Sequence, residues 1–258
     1  PENLEKLVMQ SDKLVLLVDF IYAHLYNITK VFLRVQISLI MKAKHPINFH
    51  KATTFIFVLA LMVAYQNFTL GPWVYLALHG TYGILWLLKD RIYPDKQWEQ
   101  EIPIWLGIVT FALLSLYWVA PYILISSGTE PPIPLLAAAI SLNIFGVFFH
   151  YTSDAQKYYT LKYQPGLITE GFFARCRNTN YLGEVFIYLS FAMLAQHWLP
   201  YLILGVFFAG VFIPNMLKKD KSLSRYPEFA EYKANSGLII PQLFGDNSLN
   251  QEAQKVSE

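Results

Sequence analysis

The chain has 258 residues, of which 55% are hydrophobic, 16% aromatic and only 15% charged, with a formal net charge of +2. An ordinary soluble domain is about 25% charged, so this count and a mean hydropathy of +0.34 argue against a wholly water-facing surface, a disordered chain and a nucleic-acid binder. A single cysteine, Cys176, argues against a disulfide scaffold.

The N-terminus carries Glu2, Glu5 and Lys6, unlike a signal peptide, so the spans themselves are expected to do the targeting. Residues 14–41 are apolar but interrupted by Asp19, Lys30 and Arg34. At 100° per residue, positions 30 and 34 lie about 20° and 60° from position 19, so the three share one helical face. That pattern predicts either an interfacial amphipathic helix or a tilted peripheral span.

Six later stretches are long and apolar enough to span as helices: 52–70, 72–88, 102–126, 132–149, 182–198 and 199–217. Pro121 and Pro214 fall inside or near the ends of spans, where a kink is tolerable. Of 20 Lys and Arg residues, 16 lie in 42–51, 89–101, 151–181 and the tail from 218, and none lies in the three intervening joints. By the positive-inside rule the basic loops and the C-terminus are cytoplasmic, in the endoplasmic reticulum or a bacterial inner membrane. The fold expected is all-α, a polytopic integral membrane bundle of six or seven transmembrane helices with a cofactor pocket on the cytoplasmic side. It divides into a peripheral N-terminal helix (1–50), four spans (51–149), a C-terminal region with two spans (150–242) and a flexible tail (243–258).

Two segments carry candidate chemistry. The first, 150–184, is a connection of about 30 residues holding His150, Asp154, Lys157, Lys162, Arg175, Arg177, Asn180, Tyr181 and Glu184. Cations of this kind hold phosphates, tyrosines stack on flat rings, and Asn, Asp or Glu bind ribose hydroxyls. The other reading is a solvated loop that only sets topology, although Glu184 at the entry of a span needs a partner. His150 stands one helical turn before Asp154, facing the same site. The second segment is 76–90, LALHGTYGILWLLKD. His79, Tyr82 and Trp86 share one helix face, and Gly80 and Gly83 permit close approach of a helix or a ligand. A His–Tyr pair facing the bundle can donate a proton within the membrane; the alternative is plain packing at glycine. His45 and His50, in the first basic loop, are expected to be solvated. The six histidines show no i,i+4 pair, and the chain has neither a zinc Cys pair nor a Rossmann fingerprint. No metal is expected.

Residues 150–241 resemble the C-terminal part of the steroid 5-alpha-reductase and sterol-reductase superfamily, including its uncharacterised bacterial-type branch. The resemblance rests on SDAQKYY at 153–159, RNTNYLGE at 177–184 and DKSLSRYPEFAEYKANSGLIIP at 220–241. HGTYGILWLLKD at 79–90 is similar to a segment that precedes the catalytic domain of these reductases. The resemblance implies an NADPH-dependent membrane reductase acting on a carbon–carbon double bond of a steroid-like or other lipophilic enone that enters from the bilayer. Asp154 matches an acidic residue near the nicotinamide ribose, and Asn180 and Glu184 match the asparagine and carboxylate of the cofactor pocket. Arg177 and Tyr181 fill their motif places, and Asp220, Arg225 and Tyr232 match polar positions of the terminal motif. Tyr82, with His79 beside it, matches the proton donor. Asn178-Thr179 replaces the common His-Pro, and the early spans lack the glutamate that polarises the ketone in human-type steroid reductases. The same region is similar to isoprenylcysteine carboxyl methyltransferases, which implies a rival reading as a membrane methyltransferase using S-adenosylmethionine. A third reading is a non-catalytic lipid-binding or assembly subunit of a larger membrane complex.

Overall fold

The computed structural model describes residues 39–242 and the isolated positions 22–24, 26, 27 and 30. Most of the expected amphipathic helix over 14–41 and all of the tail 243–258 lie outside the described residues; within 14–41 the positions 22–24, 26, 27 and 30 are helical and exposed, and Ile40 and Met41 are in a strand.

Among the described residues the elements are β1 (Ile40–Lys42), α1 (Lys44–Ala64), α2 (Leu70–Ile92), β2 (Glu101–Pro103), α3 (Ile104–Ser127), α4 (Ile133–Tyr163), α5 (Thr179–Ala195), α6 (Trp198–Leu223) and the short α7 (Phe229–Ala234). β1 pairs antiparallel with β2, Met41 opposite Ile102. Each of the six expected stretches is mostly helical, although 65–69 lie outside the helix in the first and 102–103 are in a strand in the third. Four helices, α1, α3, α4 and α6, are long and apolar enough to cross a membrane. Helix α2 ends in Lys89, Asp90 and Arg91, and α5 has 17 residues, fewer than the ~20 of a full crossing.

Short joints make successive helices run in opposite directions. The polar contacts at the helix ends agree, because each joins residues at the same end of the bundle. At the end poor in Lys and Arg, Asn67 Nδ2 donates to the Ile125 carbonyl at 3.0 Å. There too the Gly71 amide at the start of α2 donates to Glu130 Oε1 at 2.7 Å, a carboxylate at a positive helix end. At the basic end Lys89 meets Asp154 and Arg177 meets Asp220. Both prolines act on the turn before them. Proline removes an N–H and crowds the carbonyl four residues back; a 3₁₀ turn at Ser115–Trp118 precedes Pro121, and a π turn at Phe208–Phe212 precedes Pro214. Gly128, at φ 67°, ends α3.

The core lies where α2, α4 and α5 meet, around Tyr75, Tyr82, Tyr151, Ile187, Tyr188 and Phe191. Helices α4 and α5 touch backbone to backbone. A Cβ on Gly183 would fall 2.5 Å from the His150 amide nitrogen, and one on Gly146 2.7 Å from the Gly183 carbonyl. Gly83 similarly seats α2 on α1, its missing Cβ 2.5 Å from the Lys51 carbonyl. The small residues set the depth at which polar side chains face each other.

Two expectations are corrected. Residues 42–51 are not a solvated loop, because α1 begins at Lys44 and carries His50 and Lys51 two turns into the bundle, where both are buried. His50 stacks on Trp118 at 4.9 Å, whereas His45 is exposed as expected. Nor is 150–184 one long connection. Helix α4 continues to Tyr163 because His150, Asp154, Lys157 and Leu161 keep the 3–4 spacing of a single face, leaving only 164–178 between helices.

Candidate functional site

One face of α2 presents Tyr75, His79, Tyr82, Trp86, Lys89 and Tyr93 at intervals of three and four. This row runs from the middle of the bundle to its basic end, and α4 and α5 supply the opposite wall. At its inner end the His79 ring stacks on Phe191 at 4.2 Å, and His79 Nδ1 lies 3.0 Å from the Tyr75 hydroxyl. Tyr82 is fully buried and its hydroxyl has no hydrogen-bond partner. Its carbonyl accepts from the Tyr151 hydroxyl at 3.0 Å, which holds α2 to α4. His79 and Tyr82 do share the expected face, with ring centroids 6.3 Å apart, but His79 is bonded to Tyr75.

One turn further on, Trp86 stacks on His150 at 6.2 Å. His150 Nδ1 sits 3.1 Å from the Asn180 carbonyl, which makes Nδ1 the donor, and Nε2 is buried and unpartnered. Asn180 Oδ1 is likewise buried without a partner. Glu184, half-buried on the same face of α5, acts on Lys51, Tyr82 and Tyr188 through its charge.

At the basic end the row opens into a cleft of about 560 Å³ between the end of α2, residues 94–96 and the last turns of α4. Lys89, Lys96, Lys157 and Lys162 line it against Asp95 and Asp154, with Tyr93 and Tyr158 as aromatic walls. Charges alternate along one side: Lys89 to Asp154 at 2.8 Å, Asp154 to Lys157 at 3.6 Å, Lys157 to Asp95 at 2.8 Å. Burial opposes ionisation of Asp95, but Lys157 outweighs it and holds the carboxyl below its usual range. Burial, then Asp154 and Tyr159, push the Tyr93 phenol up to about 12. It therefore stays a donor, to the Tyr151 carbonyl at 3.2 Å.

The sequence-predicted residues separate into groups. Asp154, Lys157 and Lys162 line the cleft. His150, Asn180 and Glu184 stand along the buried row beside it, and Tyr181 on α5 packs on Phe212 of α6 at 5.1 Å. Arg177, Asp220 and Tyr232 form a separate clasp. The Arg177 guanidinium is bidentate on Asp220, at 3.1 and 3.0 Å, and its other arm reaches the Ser236 carbonyl. The Arg175 carbonyl accepts from Gly237, and the Tyr232 hydroxyl donates to the Phe173 carbonyl at 2.7 Å. These bonds tie residues 229–239 across the start of α5. Arg225 is exposed, against Ser222 and Tyr226. Sequence reasoning missed Lys51, Lys89, Tyr93, Asp95 and Lys96. The last four were legible in principle, since 86, 89 and 93 extend the 79–82 face into the loop.

These are the side-chain types that can meet phosphates, hydroxyl groups and a flat ring. The orphaned His150 Nε2 and Asn180 Oδ1 mark polar positions still to be satisfied. Among the described residues no group of three His, Cys, Asp or Glu could hold a metal ion.

Fold and site together define an all-helical protein that has, among the described residues, four helices long and apolar enough to cross a membrane, with a buried row of polar and aromatic side chains leading to a cationic cleft. The chain belongs to the family described as "Protein of unknown function (DUF1295)", whose model matches residues 36–236. No curated protein matches it.

Proposed function

We propose that the chain is a membrane-embedded reductase that takes hydride from NADPH to the β-carbon of a lipophilic enone, within the steroid 5-alpha-reductase-like superfamily its motifs resemble. In this reading all six long helices cross the bilayer and the basic end is cytoplasmic. One observation carries it: the face of α2 that holds a buried, unpartnered phenol at Tyr82 ends in the lysine-lined cleft at Lys89 and Tyr93. A binding place for phosphates and a proton donor in apolar surroundings thus lie along one row.

NADPH, when bound, supplies the hydride and leaves as NADP⁺. Lys96, Lys157 and Lys162 would bind its phosphates, and Asp154 and Asn180 would accept from its ribose hydroxyls. The π electrons of the carbon–carbon double bond move toward the carbonyl as the new C–H bond forms, leaving an enolate. Tyr82 Oη holds the proton that completes the α-carbon, and burial keeps water from competing for it. His79, bonded to Tyr75, orients the ring stack beneath Tyr82. Arg177, Asp220 and Tyr232 hold the C-terminal segment in place and so fix the start of α5, from which Asn180 and Glu184 project.

The test is ligand-induced stabilisation of the purified chain in detergent. NADPH should raise the unfolding temperature and S-adenosylmethionine should not. A shift with S-adenosylmethionine alone would sink the reductase reading in favour of a methyltransferase, and no shift with either would favour a non-catalytic role.

A further inference from the structure

Lys51 is a buried lysine for which the scheme above has no use. Two turns inside α1, it is 3% exposed. The buried cations Lys89 and Arg177 each touch a carboxylate. Lys51 touches none among the described residues; Glu184 attracts it only from beyond ion-pair distance. An ammonium has three N–H donors. One goes to the Tyr188 hydroxyl at 2.9 Å. Around the others are ring faces, Tyr82 at 4.1 Å and Trp86 at 5.5 Å from Nζ. Such faces favour a cation but supply no acceptor.

The group beside it is also incomplete, because the Tyr82 hydroxyl is buried without a partner. The Tyr82 hydroxyl is thus an unsatisfied donor beside the Lys51 amine, whose Nζ lies 4.1 Å from the Tyr82 ring centre. Tyr188, which Lys51 holds, is also part of the wall of a narrow apolar crevice of about 10 Å³ between α3, α5 and α6, with Leu116, Tyr117, Phe191 and Leu204. An uncompensated buried cation is costly unless an anion meets it, and donors fixed in low dielectric are most effective where charge develops.

We propose that Lys51 Nζ and Tyr82 Oη form a binding site for an oxyanion on an apolar ligand. That the oxygen belongs to an enolate rests on the reductase reading; the site itself does not. In the reaction, hydride attack at the β-carbon makes a new C–H bond, the double-bond pair becomes the Cα–C(O) π bond, and the carbonyl π pair moves to oxygen. Lys51 meets that oxygen and keeps its own protons. The oxygen pair then re-forms the carbonyl as the α-carbon takes the Tyr82 proton. The cation does here what an acidic side chain would do by donating a proton to the ketone.

The test uses p-nitrophenol, whose phenolate absorbs in the visible, at a pH where the free phenol is neutral. Wild type should bind it as phenolate and show the visible band. Lys51→Met should weaken phenolate binding at least 100-fold, Lys51→Arg less than 10-fold, and Tyr82→Phe about 10-fold. A wild type that binds only the neutral phenol, or a Lys51→Met protein that keeps the band, overturns the proposal. If Lys51→Met does not fold, wild type against Tyr82→Phe decides, since an equal band in both is equally fatal. NADPH takes no part in this readout. A phenolate band without enone reduction upholds the oxyanion site and rejects the reductase; reduction without the band does the reverse.

Discussion

Replacing Asp154 by leucine isolates the charge that holds the cleft together. Its side chain and that of Lys89 are 5% and 4% exposed, at 2.8 Å. Removing one partner of a buried pair costs about 3–5 kcal/mol, mostly because the other charge is left unpaired. Lys89 would keep the face of Trp86, 4.8 Å from its Nζ, worth about 0.5–2 kcal/mol, so the net loss expected is about 3 kcal/mol. The reverse change, Lys89→Met, should cost about half as much, because Asp154 keeps Lys157 at 3.6 Å. The double variant Lys89→Met/Asp154→Leu should return to within about 1 kcal/mol of wild type, as apolar replacements of buried pairs do. Thermal unfolding in detergent reads the series, with about 6–12 °C expected for the leucine variant. An Asp154→Leu protein as stable as wild type, or a double variant no better than the single, would refute the reasoning.

Gly183→Ala should destabilise by about 1–3 kcal/mol through overpacking, against a helix-propensity gain of about 1, because its Cβ would strike the α4 backbone at 2.5 Å. Gly205→Ala, with open space at that position, should be neutral or stabilising by the same assay. Tyr82→Phe should leave the unfolding temperature unchanged, since its hydroxyl has no bond to lose, while abolishing turnover; a large loss of stability would show that the hydroxyl is structural. Lys42 and then Lys44 hold the Glu99 carboxyl down at about 2, against about 4.3 unfolded. Its contribution is thus complete above about pH 4.3 and lost as pH falls through 2. Glu99→Gln should flatten that part of the stability profile, and an unaltered profile would contradict the pairing. Lys96→Ala with Lys162→Ala should weaken NADPH binding about 10-fold by titration, without changing the fold.

The helices and the α2 face were legible because apolar length and 3–4 spacing are local properties. Tyr82 and His79 were found that way, and so was the turn from His150 to Asp154. Lys51 was missed for a physical reason. A cation at the edge of an apolar run looks like a loop residue under the positive-inside rule, whereas α1 has already begun at Lys44 and Gly83 packs on the Lys51 carbonyl. The cleft was half found. Asp154 and Lys157 were singled out, but Lys89 and Asp95 belong to a different loop and reach them only when α2 and α4 lie side by side. Arg177 and Asp220 were read as cofactor contacts from their motifs. Only the fold shows that their charges face each other, 43 residues apart in the chain.

The central claim is tested most directly by incubating the full chain in detergent with NADPH deuterated at the transferable C4 position and a panel of enones from cyclohexenone to steroid size. A reduced product carrying one deuterium at the β-carbon should form with wild type and not with Tyr82→Phe. Binding of NADPH with no deuterium in any product, or a methylated product when S-adenosylmethionine is supplied instead, would contradict it.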